Sequence, residues 1–114
     1  MRPRNFSTRY YSDKQEKAIA KAVGGKQTAN SGATPFSKGD VRTDDWLLEC
    51  KTHTEPREQF TIKRDWIDKN KEEAFQMGKH HSAVVLDFGD GEQHYLISQK
   101  EFLQLLEYMK EEKE

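Results

Sequence analysis

The sequence has little cysteine and no long apolar segment. Cys50 is the single cysteine among 114 residues, which excludes a disulfide within the chain and a cysteine-rich zinc site. No segment approaches the roughly 18 consecutive apolar residues that a membrane-spanning helix requires. The basic N-terminus, residues 1–5, is not followed by the apolar stretch of a secretory signal. We therefore expect the protein to reside in a reducing cytoplasm.

The net charge is also small, but the charges are unevenly distributed. The formal net charge is -1. Residues 1–42 contain nine Lys or Arg and three Asp or Glu, whereas the remaining residues contain ten and seventeen. An imbalance of this kind can make one face attractive to phosphate while the whole protein stays near neutral. On charge alone, however, an ordinary solvated basic face is the preferred interpretation.

The length and composition predict one folded domain. Apolar residues make up 33% of the chain and charged residues 34%, which suits a compact protein with a modest core. We divide the chain into a basic N-terminal arm (1–12), one domain (13–110) and an acidic C-terminal end (111–114). No internal repeat or linker composition divides the domain further.

Apolar periodicity and turn residues predict an α/β domain with a mixed sheet flanked by helices. Ser12 with Gln15 resembles a capping box, so the first helix should run from Asp13 to Val23 and end at Gly24. A long exposed loop (26–38) should follow. The other predicted elements are a hairpin (39–42 and 46–51), a helix (from 61 or 62 to 77), a strand pair (83–88 and 94–97) and a final helix after Ser98 with the apolar stripe Phe102, Leu105, Leu106 and Met109.

The hairpin holds the residues that suggest chemistry. Alternate residues of a strand share a face, so Glu49 and Lys51 should point the same way. A two-residue turn at Asp44-Asp45 would set Asp40 directly against Glu49. Like charges with Cβ atoms about 4.5 to 5.5 Å apart destabilise a hairpin. A hard divalent cation such as Mg²⁺ would offset the repulsion, because it prefers carboxylate oxygens.

Lys51 should lie beside this pair of carboxylates. Its ammonium group could orient or deprotonate an attacking water, or stabilise charge on a phosphate. A bound metal would lower the pKa of water and polarise the phosphate. The alternative is a solvent-facing polar row with an ordinary Glu-Lys pair, which is the commoner explanation of an isolated acid-x-Lys triplet. The opposed Asp40 favours the functional interpretation.

These residues resemble the PD-(D/E)XK nuclease signature. The matching segments are Lys38-Gly39-Asp40-Val41 and Leu48-Glu49-Cys50-Lys51-Thr52. They are similar to the form of the signature in phage and archaeal Holliday junction resolvases and in restriction-like endonucleases. The signature often has proline before the first acid, where this chain has Gly39. The resemblance implies a restriction-endonuclease-like fold and an intracellular protein encoded by a phage or a prokaryote.

The resemblance also implies roles for individual residues. Asp40 and Glu49 would bind Mg²⁺, for which Mn²⁺ could substitute. The backbone carbonyl of Cys50 would add a metal ligand, and Lys51 would be the catalytic lysine. Many members use a further glutamate on the first helix, and Glu16 matches that residue as both a catalytic group and a metal ligand.

Glu16 is also supported by its position in the helix. It shares one helical face with Ile19, Ala20 and Val23, which follow it at i+3, i+4 and i+7. A carboxylate in line with an apolar stripe points toward the domain body, where it needs a cation or a hydrogen-bond partner. The alternative is an exposed Glu at the N-terminal edge of the stripe, where the helix dipole favours a negative charge.

The implied partner is DNA. The resemblance implies metal-dependent hydrolysis of phosphodiesters in branched DNA by a homodimer, since two symmetric strands need two sites, without a membrane or a small-molecule cofactor. Candidate DNA contacts are Lys26, Asn30, Ser31, Lys38, Lys63 and Arg64. Two alternatives stay open at this point: a nicking or restriction-type nuclease for duplex or flap DNA, and a non-catalytic DNA-binding protein on a nuclease fold.

Overall fold

The computed structural model describes residues 8–28 and 40–113. Its elements in chain order are α1 (Thr8–Val23), β1 (Lys26–Gln27), β2 (Asp40–Arg42), β3 (Trp46–Thr52), α2 (Arg64–Gln76), β4 (His81–Asp87), β5 (Gln93–Leu96) and α3 (Gln99–Glu112). The strands form one sheet in chain order, in which β3 and β4 are parallel and the other neighbours antiparallel. The prediction of an α/β domain with a mixed sheet flanked by helices is confirmed.

The sheet has a helix on each face. Parallel strands need a crossover connection, and α2 supplies it between β3 and β4. Ile19 of α1 packs in the main apolar core, on the face opposite α2, where it meets Val41, Leu48, Cys50, Ala83 and Val85. On the other face, Asn70 of α2 is buried and donates a hydrogen bond from Nδ2 to the Ala83 carbonyl oxygen at 2.9 Å. None of the described helices is both long and apolar enough to cross a membrane.

The first helix starts earlier than the sequence predicts. It begins at Thr8 and not at Asp13, so Ser12 lies inside the helix and does not cap it. The reason is that the helical face extends further toward the N-terminus: Tyr11 is partly buried, and Gln15 and Ile19 are buried at i+4 and i+8 from it. The capping-box pattern was a local coincidence that tertiary packing overrides.

Two further boundaries differ from the prediction. The predicted loop 26–38 opens with a short strand, because Lys26–Gln27 pairs antiparallel with β2. Asn30, Ser31 and Lys38 lie outside the described residues. The second helix begins at Arg64, two or three residues later than predicted, because Lys63 is extended (φ -89°, ψ 130°). The last helix begins after Ser98, as predicted, and Ser98 forms a capping box with Glu101 in which both hydrogen bonds are present.

Candidate active site

The hairpin has the predicted register. Asp40 lies opposite Glu49, Val41 opposite Leu48 and Arg42 opposite Leu47. Thr43 closes the turn, because its backbone amide donates to the Trp46 carbonyl oxygen and its hydroxyl oxygen accepts from the Trp46 amide, both at 3.0 Å. The two-residue turn therefore fixes the two carboxylates against each other.

Asp40 is buried and Glu49 is partly buried, and each has one buried oxygen without a hydrogen-bond partner among the described residues. Asp40 is only 1% exposed. Among the described residues, Oδ1 of Asp40 and Oε2 of Glu49 have no hydrogen-bond partner although both atoms are buried. An unpaired buried polar atom costs roughly 1 to 3 kcal/mol, and more when it is charged. Two such oxygens on facing residues form the donor set that a hard cation prefers.

Glu73 is a third carboxylate at this position, which the sequence reasoning missed. It lies on α2, half-buried, and can form a hydrogen bond with Asp40 when one of the two carboxyl groups carries a proton. Burial raises its pKa, and the Lys69 charge and the hydrogen bond to Asp40 oppose that rise. Its position could have been predicted from the helical spacing, because Glu73 follows Trp66 at i+7 and Asn70 at i+3 and so shares the helix face that packs on the sheet.

The electrostatics of Asp40 follow from this setting. Burial is the main cause that raises the pKa of Asp40 to about 8, and the negative charges of Glu49, Glu73 and Glu16 add to it, while Lys51 opposes it. Burial also raises the pKa of Glu49, and the positive charge of Lys51 again opposes the rise. The site therefore concentrates more negative charge than the nearby lysine compensates, which a bound cation would correct.

Lys51 is held over an aromatic ring. Its Nζ atom lies 4.7 Å from the ring centroid of Trp66, the first apolar residue of α2, a distance at which a cation is attracted to the ring face. Trp66 is only partly buried, and its ring holds the ammonium group of Lys51 in position.

A groove opens beside this ammonium group. Its volume is about 880 Å³, and Lys51 and Trp66 form part of its wall. His53, Phe60 and Arg57 also line it, and their rings and guanidinium group can contact an extended polyanion with flat bases. The ring of Phe60 packs against His53 with a centroid distance of 4.3 Å.

Glu16 lies near the site without touching Asp40 or Glu49 through any hydrogen bond of the described residues. It is half-buried and accepts a hydrogen bond from Gln27 Nε2 at 3.3 Å. Burial raises its pKa, and the bond from Gln27 opposes the rise. Its charge acts on Asp40. Glu16 therefore lies on the first helix, as predicted, and is close enough for its charge to raise the pKa of Asp40.

Gln15 is a second residue that the sequence reasoning missed as a site residue. It is 3% exposed. Its Nε2 donates to the Lys51 carbonyl oxygen at 2.9 Å and to Oε1 of Gln93 at 3.0 Å. The bond ties α1 to the backbone of the residue that carries the ammonium group. Sequence alone gives Gln15 no signal beyond its position one helical turn before Ile19.

Cys50 presents its backbone, and not its thiol, to this region. The side chain belongs to the apolar core on the α1 face, and burial raises the pKa of the thiol. Since Cys50 lies between Glu49 and Lys51 in β3, its side chain points away from theirs. A metal at the carboxylates could use only the backbone carbonyl of this residue.

The candidate DNA contacts within the described residues lie on two different elements. Lys26 is exposed on the edge strand β1. Lys63 and Arg64 begin α2, between Thr61 and Trp66, which both line the groove. Arg64 is 89% exposed and pairs loosely with Asp68 at 3.5 Å, so it is available to a phosphate.

Within residues 8–28 and 40–113, no three Asp, Glu, His or Cys side chains are grouped closely enough to hold a metal ion by themselves. Mg²⁺ usually takes one or two carboxylates, with waters and substrate phosphates as its other ligands, so the facing pair Asp40 and Glu49 meets that smaller requirement. No protein-family model, curated protein or solved structure matches the chain. The function of the protein is therefore inferred from the geometry of these side chains.

Proposed function

We propose that the protein is a metal-dependent endodeoxyribonuclease that hydrolyses phosphodiester bonds of branched DNA. The observation that carries the proposal is the pair Asp40 and Glu49, fixed face to face by the hairpin, each with a buried oxygen that has no partner among the described residues. A fold gains nothing from two such oxygens, whereas a bound Mg²⁺ would satisfy both.

The donor set fits Mg²⁺, or Mn²⁺ in its place. Asp40 and Glu49 would hold the ion, and the Cys50 carbonyl and Glu16 are further candidate ligands. Glu73, through its hydrogen bond to Asp40, would orient that carboxylate. When bound, the ion would supply Lewis acidity toward a phosphate oxygen and lower the pKa of a coordinated water.

Lys51 is the proposed catalytic lysine. Its ammonium group is on the same strand face as Glu49 and is kept in position by the Trp66 ring. From there it can hold the attacking water by a hydrogen bond, or stabilise the negative charge that develops on the phosphate. Gln15 supports this role by fixing the Lys51 backbone.

The groove beside Lys51 would take the DNA strand. Arg57 on its wall and Lys63 and Arg64 near its mouth would contact phosphates, which position DNA without reading its sequence. The preference for branched DNA comes from the resemblance of the hairpin to resolvase signatures, and with it the expectation of a homodimer with two sites.

The test is cleavage of labelled four-way junction, flap, duplex and single-stranded DNA in Mg²⁺, Mn²⁺ or EDTA. Wild type is compared with Asp40→Asn and with Lys51→Met, which keeps an unbranched apolar chain against Trp66 but removes the charge. Asp44→Asn, in the exposed hairpin turn, and Lys71→Ala, on the exposed side of α2, are the matched controls.

We expect symmetric junction cuts that need a divalent metal, persist in both controls and fall about 100-fold or more in each site variant. Metal-dependent cutting of linear or flap DNA instead would support the proposed catalytic site but show that branched DNA is not the substrate. No cleavage of any substrate in either metal, with site variants that behave like wild type, would overturn the proposal.

A further inference from the structure

The C-terminal helix α3 is buried only in its first turn. Glu101 is its one buried residue. The carboxylate of Glu101 accepts from the Ser82 amide at 2.7 Å and from the Ser98 hydroxyl at 2.8 Å. Beyond Glu101 every described residue of the helix is exposed, although Leu105 still lines a cleft of the domain. A helix of about this length is marginal in water unless an amphipathic face is packed.

An apolar stripe runs along the extended part of α3. Its members follow the i, i+3, i+4, i+7 pattern that normally faces a core, yet between 39% and 55% of each is exposed: Phe102, Leu105, Leu106 and Met109. Leu103 (49%) and Tyr108 (61%) widen the stripe. Large aromatic and aliphatic side chains that are half-exposed contribute roughly 100 Å² each, which gives a patch of about 600 Å².

An apolar cleft lies beside the N-terminal half of the same helix. It has a volume of about 440 Å³, and its lining is Val23, Thr43, Trp46, Leu48, Tyr95, Ile97 and Leu105. Leu105 belongs both to the cleft and to the stripe, so the two surfaces are continuous. Tyr95 adds a further 43% exposed aromatic side chain.

We propose that α3 is a dimerisation element, in which the stripe of one protomer packs into the cleft of a second copy and the second copy does the same in return. One chain carries both a protruding apolar helix and an apolar cleft beside it, which is the self-complementary arrangement that a twofold interface requires. The stripe and cleft together approach the roughly 800 Å² that each partner buries in a standard interface.

The charges on the helix also favour a second copy. Apart from the buried Glu101, the helix and its C-cap carry three positive and three negative side chains, which cancel: Lys100, Lys110, Lys113, Glu107, Glu111 and Glu112. Two such helices do not repel each other. A nucleic acid or an anionic membrane surface would instead need a basic face, which this helix does not have.

The inference does not depend on the nuclease proposal and is tested without DNA or metal. Sedimentation velocity of the full chain in EDTA, from about 1 to 100 μM, should show a species of twice the 13.3 kDa chain mass. The variant Leu106→Lys with Met109→Lys changes two exposed side chains of the stripe. The control, Gln104→Lys with Glu107→Gln, raises the net charge by the same two units on the opposite side of the helix.

We expect the stripe variant to be monomeric, with its dissociation constant raised about 100-fold or more, while the control stays dimeric. Circular dichroism and thermal melting at the lowest concentration should show both variants folded. A wild type that is monomeric throughout, a stripe variant that remains dimeric, or a control that dissociates as readily as the stripe variant would each overturn the proposal.

Discussion

Replacing Asp40 by Asn should stabilise the metal-free protein at neutral and alkaline pH. The pKa of Asp40 is raised from its ordinary value of 3.8 to about 8, mainly by burial and then by the charges of Glu49, Glu73 and Glu16. The folded state therefore binds the proton more tightly than the unfolded state does. Asn is uncharged at every pH, and its amide can donate the hydrogen bond to Glu73 that protonated Asp40 can make.

The magnitude follows from linkage. Because the folded pKa is the higher one, the free energy of unfolding falls as pH rises through the interval from 3.8 to about 8 and then becomes level. Each pH unit in the interval costs about 1.4 kcal/mol, so the upper limit at pH 7 is roughly 4 kcal/mol. Side-chain relaxation and water entry reduce such penalties, and we expect Asp40→Asn to gain about 1 to 3 kcal/mol.

The assay is urea unfolding in EDTA at pH 4.5, 7 and 8.5, followed by circular dichroism. The gain should be small at pH 4.5 and largest at pH 8.5. Asp87→Asn is the control, because Asp87 is also buried but both its oxygens accept hydrogen bonds, from Gly89, Gly91 and Gln93. That variant should lose stability. If Asp40→Asn is no more stable than wild type at pH 8.5, the electrostatic description of the site is wrong.

Three further outcomes are expected. Millimolar Mg²⁺ should raise the melting temperature of wild type, and should raise that of Asp40→Asn much less, in differential scanning fluorimetry, because only the folded wild-type site offers the ion both carboxylates. Gln15→Met should lose about 1 to 3 kcal/mol in urea unfolding, since it leaves the buried Lys51 carbonyl without its side-chain donor; no loss would show that the bond is dispensable. Glu101→Gln should destabilise by about 1 to 2 kcal/mol, measured in the same way, because the neutral amide accepts more weakly from Ser82 and in the capping box.

The hairpin could be predicted from sequence because its geometry is local. A two-residue turn and the alternation of a strand determine which residues face each other, so the opposition of Asp40 and Glu49 needed no knowledge of the rest of the fold. Glu73 and Gln15 could not be assigned in the same way. Their roles depend on where α2 and α1 cross the sheet, and a periodic pattern identifies the buried face of a helix without saying which strand residue it meets.

The first residue of α1 was predicted wrongly for a related reason. A capping box is a local signal, and Ser12 with Gln15 satisfies it in sequence. In the structure Gln15 is instead buried against the Lys51 backbone, and the helix continues back to Thr8 so that Tyr11 can cover the same face. The side chain that looked like part of a cap is used in a tertiary contact, which outweighs the local preference.

Comparison of the buried carboxylates within this one chain strengthens the assignment of the site. Asp87 and Glu101 are 7% exposed, and both oxygens of each accept hydrogen bonds from nearby amides or hydroxyls. Where a carboxylate serves the fold, this protein satisfies it. Asp40 and Glu49 are treated differently, because each keeps a buried oxygen without a partner among the described residues. Gln15 and Asn70 also keep a buried amide oxygen without a hydrogen-bond partner, but leaving a charged oxygen unpaired costs more, and departures of this kind concentrate at functional sites. The unsatisfied pair is therefore better explained by a ligand that binds there than by any requirement of the fold.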